Sequence, residues 1–176
     1  MINSELIFLR PSSLSDASLR YNWFIDPEFN LLYLGKSLPV PYRQVEEEIL
    51  LATYPAISTG LLELAITVKA ENLYVGNTFF RKIDWQNRSA EYGIFIGDKS
   101  CWGKKIGSEV TRLMLKYGFS ELGLRRIWLT VLAYNERAIK CFEKCGFQTE
   151  GILRSAIFSG GKFNDVILMS IIENRE

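Results

Sequence analysis

The sequence predicts one α+β domain, in which a central mixed, mostly antiparallel and twisted sheet is flanked by helices. Three consecutive strand-like runs in the middle of the chain indicate an antiparallel meander. The second half alternates strand, glycine-rich loop, helix, strand and helix before two closing strands, an order typical of packed α and β layers. Because no repeat, low-complexity segment or linker divides the chain, we expect residues 1–176 to form a single domain.

The N-terminal region begins with a short strand. Residues 6–10 are mostly apolar, and Pro11 ends the run. Ser13 or Ser15 can cap a helix that continues to about residue 24, because a serine hydroxyl accepts a hydrogen bond from the first helical turn. We therefore expect a helix directly after the first strand.

The next region contains a break and a second helix. Asp26-Pro27-Glu28 ends the first helix and begins another short segment. Pro39 and Pro41 mark a loop, after which residues 42–52 are expected to be helical. This helix carries three glutamates at residues 46–48, which are typical of a solvated face and would also suit a polyamine.

The middle of the chain is predicted to be the three-stranded meander. Residues 61–68, 73–83 and 89–96 are rich in β-branched and aromatic side chains. Polar residues at 70–72 and 84–87 supply the turns between them.

The remaining chain adds two helices and three strands. Residues 106–122 carry apolar side chains near the helical period and stop at Gly123. Residues 126–132 are predicted to form a strand and residues 136–145 a helix. The closing strands are predicted at residues 147–153 and 166–172.

The loop at residues 100–108, which reads SCWGKKIGS, precedes the long amphipathic helix. Gly103 and Gly107 let the backbone approach a ligand closely. The helix directs its free N–H groups and the positive end of its dipole at the loop, and Lys104 and Lys105 add positive charge. This combination favours a bound pyrophosphate, although the glycines alone are equally typical of an ordinary turn.

The charge balance argues against two broad classes of function. The 21 basic and 20 acidic residues give a net charge of +1, so a basic surface for nucleic acid or membrane lipid is not expected. The N-terminus lacks the pattern of a signal peptide, and no apolar run is long enough to span a bilayer. We therefore expect a cytoplasmic protein.

The three cysteines, Cys101, Cys141 and Cys145, are expected to be free thiols. Cys141 and Cys145 share a face of a predicted helix, where packing is the simplest role. The chain contains no histidine, so a metal site is not expected, and nucleophilic schemes that use histidine are excluded.

Two ordered motifs resemble those of the GNAT N-acetyltransferases. Residues 90–109 read AEYGIFIGDKSCWGKKIGSE and resemble the acetyl-CoA-binding motif of that family. Residues 129–147 read LTVLAYNERAIKCFEKCGF and resemble the motif that follows it. The closing run FNDVILM at residues 163–169 looks like the RimJ/RimL branch. The resemblance covers essentially the whole chain and implies a GNAT-like fold with an enzymatic acetyl transfer.

The resemblance also implies where acetyl-CoA binds. The strand at residues 90–96 would splay from the strand at residues 127–132 and open a cleft for the pantetheine arm. That arm would pair with backbone groups near Phe95 and Ile96. Asn135 would contact the pantetheine or a water molecule, with a helix N-cap as its alternative role. The pyrophosphate would rest on the amides of Trp102, Gly103, Lys104, Lys105, Ile106, Gly107 and Ser108.

Two residues depart from the family pattern. Lys105 stands where a glycine is usual, and its amide can still bind phosphate if the residue adopts a helical conformation. Phe142, predicted to line the cofactor site, stands where many relatives have the tyrosine credited with protonating the CoA thiolate. Solvent or another hydroxyl, with Tyr134 as the candidate and Ser155 or Tyr92 as alternatives, could take that role. Otherwise the thiolate leaves unassisted or catalysis is poor.

Glu91 is the candidate catalytic base. An alkyl ammonium must lose a proton before it attacks a thioester, and strand alternation places Glu91 on the same face as Gly93 and Phe95. The alternative is a cross-strand salt bridge, with Arg81 or Arg88 as partner. No covalent enzyme intermediate is required, because the amine can attack the thioester directly.

The resemblance implies that the N-terminal helices select the acceptor, with Trp23, Asp26, Glu28 and Tyr33 as candidate acceptor-binding residues. For Trp23, ordinary core packing is the alternative. The expected function is transfer of an acetyl group from acetyl-CoA to a primary amine of a small molecule or amino sugar. The alternatives are acetylation of a protein N-terminus and a catalytically weak acetyl-CoA-binding module. A homodimer with Trp85 or Phe158 at its interface is a further expectation.

Overall fold

The computed structural model of the chain describes residues 2–33 and 40–173. In this part of the chain, eight strands form one sheet in the order β1-β2-β3-β4-β5-β6-β8-β7. The strands are β1 (Ile2–Asn3), β2 (Ile7–Pro11), β3 (Leu62–Val68), β4 (Leu73–Asp84), β5 (Ser89–Ile96), β6 (Arg126–Leu132), β7 (Gln148–Ser159) and β8 (Lys162–Ile172). All neighbouring pairs are antiparallel except β5 and β6.

Helices cover both faces of the sheet. They are α1 (Ala17–Phe24), α2 (Pro27–Tyr33), α3 (Tyr42–Leu51), α4 (Ala56–Thr59), α5 (Ile106–Ser120) and α6 (Glu136–Lys144), with single 3-10 turns at Leu14–Asp16 and Lys99–Cys101. The core cluster on one face includes Val110 and Met114 of α5 and Phe142 of α6. The cluster on the other face joins Trp23 of α1 to Phe95 of β5. The predicted fold class is therefore confirmed.

The elements differ from the sequence prediction at three places. The two-residue strand β1 and the short helix α4 were not predicted. The closing strands β7 and β8 are longer than expected and turn at Gly160 and Gly161. Two irregularities in their pairing interrupt the period-2 pattern, which hides the full strand lengths from the sequence. Pro39, in the predicted loop, lies outside the described residues.

Among the described strands, the one parallel pair, β5 and β6, diverges along its length. β5 and β6 pair at Ser89↔Arg126, Ala90↔Ile127 and Glu91↔Trp128, and no register is formed beyond Glu91. The C-terminal halves of both strands therefore separate, as the sequence analysis predicted. This separation opens a cleft in the middle of the sheet. Of the described helices, none combines the length and apolar character that a bilayer crossing needs.

Candidate active site

A cavity of about 400 Å³ lies where the end of β5, the loop before α5 and the first turns of α6 meet. We call it the loop-side cavity. Its walls include the predicted cofactor-binding residues Phe95, Ile96, Trp102, Gly103, Lys105, Ile106, Gly107, Ser108, Asn135 and Phe142. The structure therefore brings together every residue of that predicted set except Lys104. Lys104 is exposed and stands outside the lining.

The first turn of α5 opens into this cavity. Its first helical hydrogen bond runs from the Glu109 N–H to the Lys105 carbonyl over 3.1 Å, so the amides of Ile106, Gly107 and Ser108 precede the helical ladder. No side chain caps this end of the helix. Such an end attracts anions through its N–H groups and dipole.

The backbone at Lys105 differs from the expected helical conformation. Lys105 has φ 64° and ψ 0°, which is the left-handed region that a glycine adopts readily. Gly103, two residues earlier, also has a positive φ, of 77°. The loop thus keeps the conformation of a glycine-rich turn although a lysine stands at its second strained position.

The lysine, arginine, aspartate and glutamate side chains that line the loop-side cavity are all cations. Its charged lining residues are Lys105, Arg137, Lys140 and Lys144, and no acidic residue is among them. The last three recur along one face of α6, at helical spacing. Sequence analysis missed them, and the available signal was this row of basic residues at helical spacing within the second family motif. Four positive charges around an open helix N-terminus suit a ligand with several phosphate groups.

Trp102 fixes the loop to the end of β5. Its indole Nε1–H donates to the Ile96 carbonyl over 2.8 Å. The Arg137 guanidinium carbon lies 4.0 Å from the centre of the indole ring, within cation–π range. The Ile96 carbonyl is therefore engaged by the protein itself.

The register of β5 shows which backbone groups face the cleft. The Gly97 N–H donates to Val75 of β4 over 2.8 Å, and the Arg126 N–H of β6 donates to Arg88 over 3.1 Å. The backbone groups of successive residues in a strand point alternately to its two edges. These two bonds therefore place the N–H and C=O groups of Ile94 and Ile96 on the edge that faces the cleft. The backbone of Phe95 faces β4 instead, and Phe95 lines the cavity with its ring. Ile94 is thus a site residue that sequence reasoning missed.

A second cavity of about 370 Å³ continues the cleft between β5 and β6. We call it the acceptor-side cavity. Both cavities share the lining residues Leu32, Tyr33, Ile94, Asn135, Ala138 and Phe142. The two cavities therefore adjoin in the gap between the splayed strands, and their charged linings differ.

Glu91 lies at the acceptor-side cavity as an ion-paired carboxylate. It is 3% exposed, with Oε1 2.5 Å from Arg81 Nη2 and Oε2 2.9 Å from Lys82 Nζ. Burial raises the pKa of Glu91, but the hydrogen bonds and charges of Arg81 and Lys82 outweigh it and hold the pKa below its usual value. The cross-strand salt bridge to Arg81, the alternative role for this residue, is present. A carboxylate in this state is a weak base.

The Tyr134 hydroxyl is used by the protein. It donates to the Leu31 carbonyl at the end of α2 over 2.6 Å, and Tyr134 lines neither cavity. The geometry therefore does not support Tyr134 as the proton donor.

The Tyr92 hydroxyl is also engaged. It lies 3.0 Å from Thr111 Oγ1, which itself donates to the Gly107 carbonyl, so the Tyr92 proton points at Thr111. Burial raises the pKa of Tyr92. Phe142 packs edge-on against Tyr92 at the boundary of the two cavities.

Asn135 is the N-cap of helix α6, which was its alternative role in the sequence analysis. Its Oδ1 accepts a hydrogen bond from the Ala138 N–H over 3.2 Å and caps α6. Its Nδ2 donates to the Leu32 carbonyl over 3.1 Å. A contact between Asn135 and the pantetheine stays a prediction.

Of the four predicted acceptor-binding residues, only Tyr33 reaches the cavities. Trp23 is buried against Tyr74 and Phe95, so its side chain belongs to the core. Lys99 Nζ lies 2.8 Å from Asp26 and 2.7 Å from Glu28, away from the cleft lining. The structure thus places Trp23, Asp26 and Glu28 outside the lining of both cavities, and their contact with an acceptor stays a prediction.

All three cysteines are free thiols, and Cys141 faces the loop-side cavity. The pKa of Cys141 is lowered to about 6, first by a hydrogen bond from Cys145 and then, against burial, by the Ser108 hydroxyl and the charges of Arg112 and Lys144. The pKa of Cys145 is raised. Among the described residues, no group of three or more cysteine, aspartate and glutamate side chains could hold a metal ion.

We expect Cys141 to be alkylated selectively by iodoacetamide, with a rate that is half-maximal near pH 6 because the thiolate reacts. Saturating acetyl-CoA should protect it. Peptide mapping by mass spectrometry measures both effects. A Cys141→Ser variant, which should lack the rapid alkylation, shows that this reaction belongs to Cys141. A half-maximal rate near an ordinary thiol pKa of about 8.5, or alkylation unchanged by acetyl-CoA, would contradict this placement.

Comparison with known proteins gives one family and several relatives. The family described as Acetyltransferase (GNAT) domain matches residues 7–148. The uncharacterized N-acetyltransferase YoaA of Bacillus subtilis strain 168 is 36% identical over 179 residues, covering 100% of this chain and 98% of YoaA. Spermidine N(1)-acetyltransferase of Escherichia coli K12 is 26% identical over 161 residues, covering 92% of this chain and 77% of that relative.

A solved structure has the same fold. Spermidine N-acetyltransferase from Vibrio cholerae, in complex with CoA and spermine, superposes with a TM-score of 0.85 at 24% identity, covering 96% of each chain. At this level of identity, the likeness concerns the fold.

Proposed function

Because the chain belongs to the GNAT acetyltransferase family, and is thus an N-acetyltransferase, we propose that it moves the acetyl group of acetyl-CoA to a primary amine of a small molecule. The observation that carries this proposal is the pair of adjoining cavities in the gap between β5 and β6. One is a cationic cavity at an open helix N-terminus, and the other is a smaller cavity of mixed charge. This arrangement suits a phosphate-rich donor in one cavity and an amine in the other.

The residues of the loop-side cavity fit acetyl-CoA. The amides of Ile106, Gly107 and Ser108 would hold the pyrophosphate, and the cations of α6 would neutralise its charge. The outward backbone groups of Ile94 would pair with the pantetheine amides. When bound, acetyl-CoA supplies a thioester carbonyl that an amine can attack.

The chain contributes mainly by positioning the reactants. Glu91 is held by two cations, so we assign removal of the ammonium proton to water that enters the open cleft. Phe142 has no proton to donate, and the hydroxyls of Tyr134 and Tyr92 are engaged elsewhere. A thiol with an ordinary pKa near 8.5 is a tolerable leaving group at about neutral pH, so departure of CoA without a dedicated acid is sufficient.

Thermal unfolding with and without acetyl-CoA tests the proposal. A saturable rise in Tm is expected, corresponding to about 2.7 kcal/mol at a ligand concentration about 100 times Kd. Desulfo-CoA, which lacks the thiol, should stabilise the protein comparably. Release of CoA thiol with added amines then tests turnover. No shift at millimolar acetyl-CoA would contradict the proposal.

One alternative is a non-catalytic acetyl-CoA-binding module, favoured by Phe142 and by the engagement of the Tyr92 and Tyr134 hydroxyls within the protein. It predicts a rise in Tm with no turnover on any amine. A protein N-terminus as acceptor, and with it the RimJ/RimL branch, stays a prediction, as does a cytoplasmic location. The protein-modifying alternative predicts a mass gain of one acetyl group on a co-expressed protein.

The Glu91→Gln variant separates a structural role of Glu91 from a catalytic one. Because the folded state lowers the pKa of Glu91, its contribution to stability is complete above the ordinary pKa and is lost as pH falls through the folded-state pKa. We expect Glu91→Gln to lose about 1–3 kcal/mol of unfolding free energy at pH 7. The difference from wild type should shrink below about pH 4.3. Denaturant unfolding between about pH 3 and 7 measures it.

A general base would give a different result for this variant. Stability would be unchanged, kcat would fall by about 100-fold or more, and its pH profile would lose the acidic limb.

A homodimer also stays a prediction, and the sheet suggests where it would form. β7 is one of the two edge strands of the described sheet, and Ile152, Leu153 and Phe158 on it are exposed. Trp85, the other expected interface residue, is exposed at a separate turn. We propose β7 as the interface, and the mass in solution of wild type and Phe158→Asp tests it. A monomeric wild type would contradict the proposal.

A further inference from the structure

Two consecutive cations hold the Glu91 carboxylate from the same side. In a regular strand, Arg81 and Lys82 would point to opposite faces of the sheet. The pairing of β4 with β5 is irregular between Arg81 and Asp84, and Lys82 has a positive φ of 51°. This bulge turns Lys82 back so that its Nζ lies 2.9 Å from Glu91 Oε2, while Arg81 Nη2 lies 2.5 Å from Oε1.

The bulge brings a second cation to the carboxylate that lines the acceptor-side cavity, although Lys82 itself lies outside the lining. Among the described lining residues, Glu91 is the only acidic side chain, and both its oxygens are engaged. The carboxylate together with Arg81 and Lys82 carries a net charge of +1. A second ammonium group on the acceptor would therefore find no unpaired carboxylate in the described lining.

Four other acidic residues of the N-terminal helices that could attract a polyamine are paired elsewhere. Glu48 binds Arg20 over 2.9 Å, Glu47 binds Arg43 over 3.0 Å, and Lys99 binds both Asp26 and Glu28. None of the four glutamates and aspartates named here lines either cavity. The described part of the cleft thus lacks the negative charge that would select a polycation, although the family includes spermidine acetyltransferases.

Arg81 is presented to the cleft as a rigid, accessible guanidinium. Its side chain is 50% exposed and lines the cavity, and its carbon Cζ lies 5.4 Å from the centre of the Phe79 ring. The Phe79 ring in turn covers Gly93, where a side chain would overlap it. Glu91 bonds Nη2, one terminal nitrogen of the guanidinium. A planar guanidinium held in this way suits a carboxylate or phosphate.

We propose that the acceptor is an amine that carries an anionic group, a carboxylate or a phosphate, which Arg81 binds with the support of Lys82. This inference rests on the proposed acetyl transfer and names its substrate class. Arg81 determines specificity by attracting the anion. The net positive charge of Arg81, Lys82 and Glu91 together disfavours an acceptor with a second ammonium group. Diamines and polyamines are therefore poor acceptors.

Matched amines test this class directly. 4-Aminobutyrate, butylamine and putrescine share a four-carbon chain and differ in the far group, which is anionic, neutral or cationic. O-Phosphoethanolamine and ethanolamine form a second pair that distinguishes phosphate from carboxylate. The readout is kcat/KM from CoA release, with binding of each amine to the CoA-loaded protein as a second measurement. We expect at least one anionic probe to exceed putrescine by about tenfold or more in one of these measurements.

Two variants and a control assign the effect to Arg81. Arg81→Gln should abolish the preference for the anionic probe. Arg81→Lys keeps a positive charge beside Glu91 but loses the planar fork, so it should fold and retain only part of the preference. Arg43→Gln removes a cation from exposed α3 and should leave the preference unchanged. Retention of the full preference in Arg81→Lys and Arg81→Gln would overturn the assignment to this residue.

The outcomes separate this inference from the function on which it rests. If acetyl-CoA does not raise Tm, the proposed function fails. If acetyl-CoA binds but putrescine or spermidine is used or bound as well as the anionic probes, the acetyl transfer stands and the anionic class is overturned. Equal binding of all amines, without turnover, overturns it too.

Discussion

Replacement of Arg137, Lys140 and Lys144 together by glutamine is expected to weaken acetyl-CoA binding by about 100-fold. The three cations line the loop-side cavity from one face of α6, and no acidic residue in the described lining offsets them. If each partly exposed charge contributes roughly 1 kcal/mol, their sum is about 3 kcal/mol, or roughly two decades in Kd. Calorimetric titration with acetyl-CoA measures the change.

Salt and a matched control distinguish a local effect from a change in net charge. Wild-type affinity should fall with increasing ionic strength, and the triple variant should be much less sensitive. The control replaces Arg43, Lys69 and Lys116, which are exposed and outside both cavities, by glutamine. Equal affinities for the triple variant and wild type would show that α6 does not hold the phosphates.

The second large effect is expected from Gly76→Ala. A methyl group at this position would overlap the carbonyl oxygen of Phe95 and press on Cα of Ile96. Since these are backbone atoms in the neighbouring strand, β4 and β5 must move apart to admit it. We expect a loss of about 3 kcal/mol in unfolding free energy, which lowers Tm by about 6–12 °C for a domain of this size.

Gly151→Ala is the matched control for this change. A methyl group at Gly151 meets no atom within 4 Å, so its cost should stay within about 0.5 kcal/mol. Denaturant unfolding of both variants gives the two free energies. Because β5 also forms one wall of the cleft, acetyl-CoA should restore less stability to Gly76→Ala than to wild type. A Gly76→Ala variant as stable as Gly151→Ala would contradict the close approach of the two strands.

Local patterns in the sequence were enough to place the main features of the site. The glycine-rich loop and the amphipathic helix after it predicted an open helix N-terminus, because residue type and period determine both. The splay of β5 from β6 came from the family resemblance. Asn135 was recognised as a helix cap because its position before a helical run favours that role.

Other features depend on contacts between distant residues. For Trp23, the sequence leaves acceptor binding and core packing open, and the structure shows that Gly97, 74 positions later, leaves the space that its ring fills. The cations of α6 resemble a solvated face, and only the packing of α6 beside the open strands turns that face toward a cavity. The bulge at Lys82 has no local signature, since lysine rarely adopts a positive φ without tertiary support. The ion pair of Glu91 follows from that bulge.

The bonds from residues 134 and 135 to the end of α2 make the two halves of the reaction interdependent. Asn135 caps α6 with its oxygen and holds the Leu32 carbonyl with its nitrogen, while Tyr134 holds Leu31. A displacement of α2 by the acceptor must therefore disturb the cap of the helix that carries the phosphate-facing cations. Linkage is reciprocal, so the factor by which the acceptor changes the affinity for acetyl-CoA is also the factor by which acetyl-CoA changes the affinity for the acceptor. An Asn135→Asp change removes the donor that holds the Leu32 carbonyl. The factor should then approach unity, and the two substrates would bind independently.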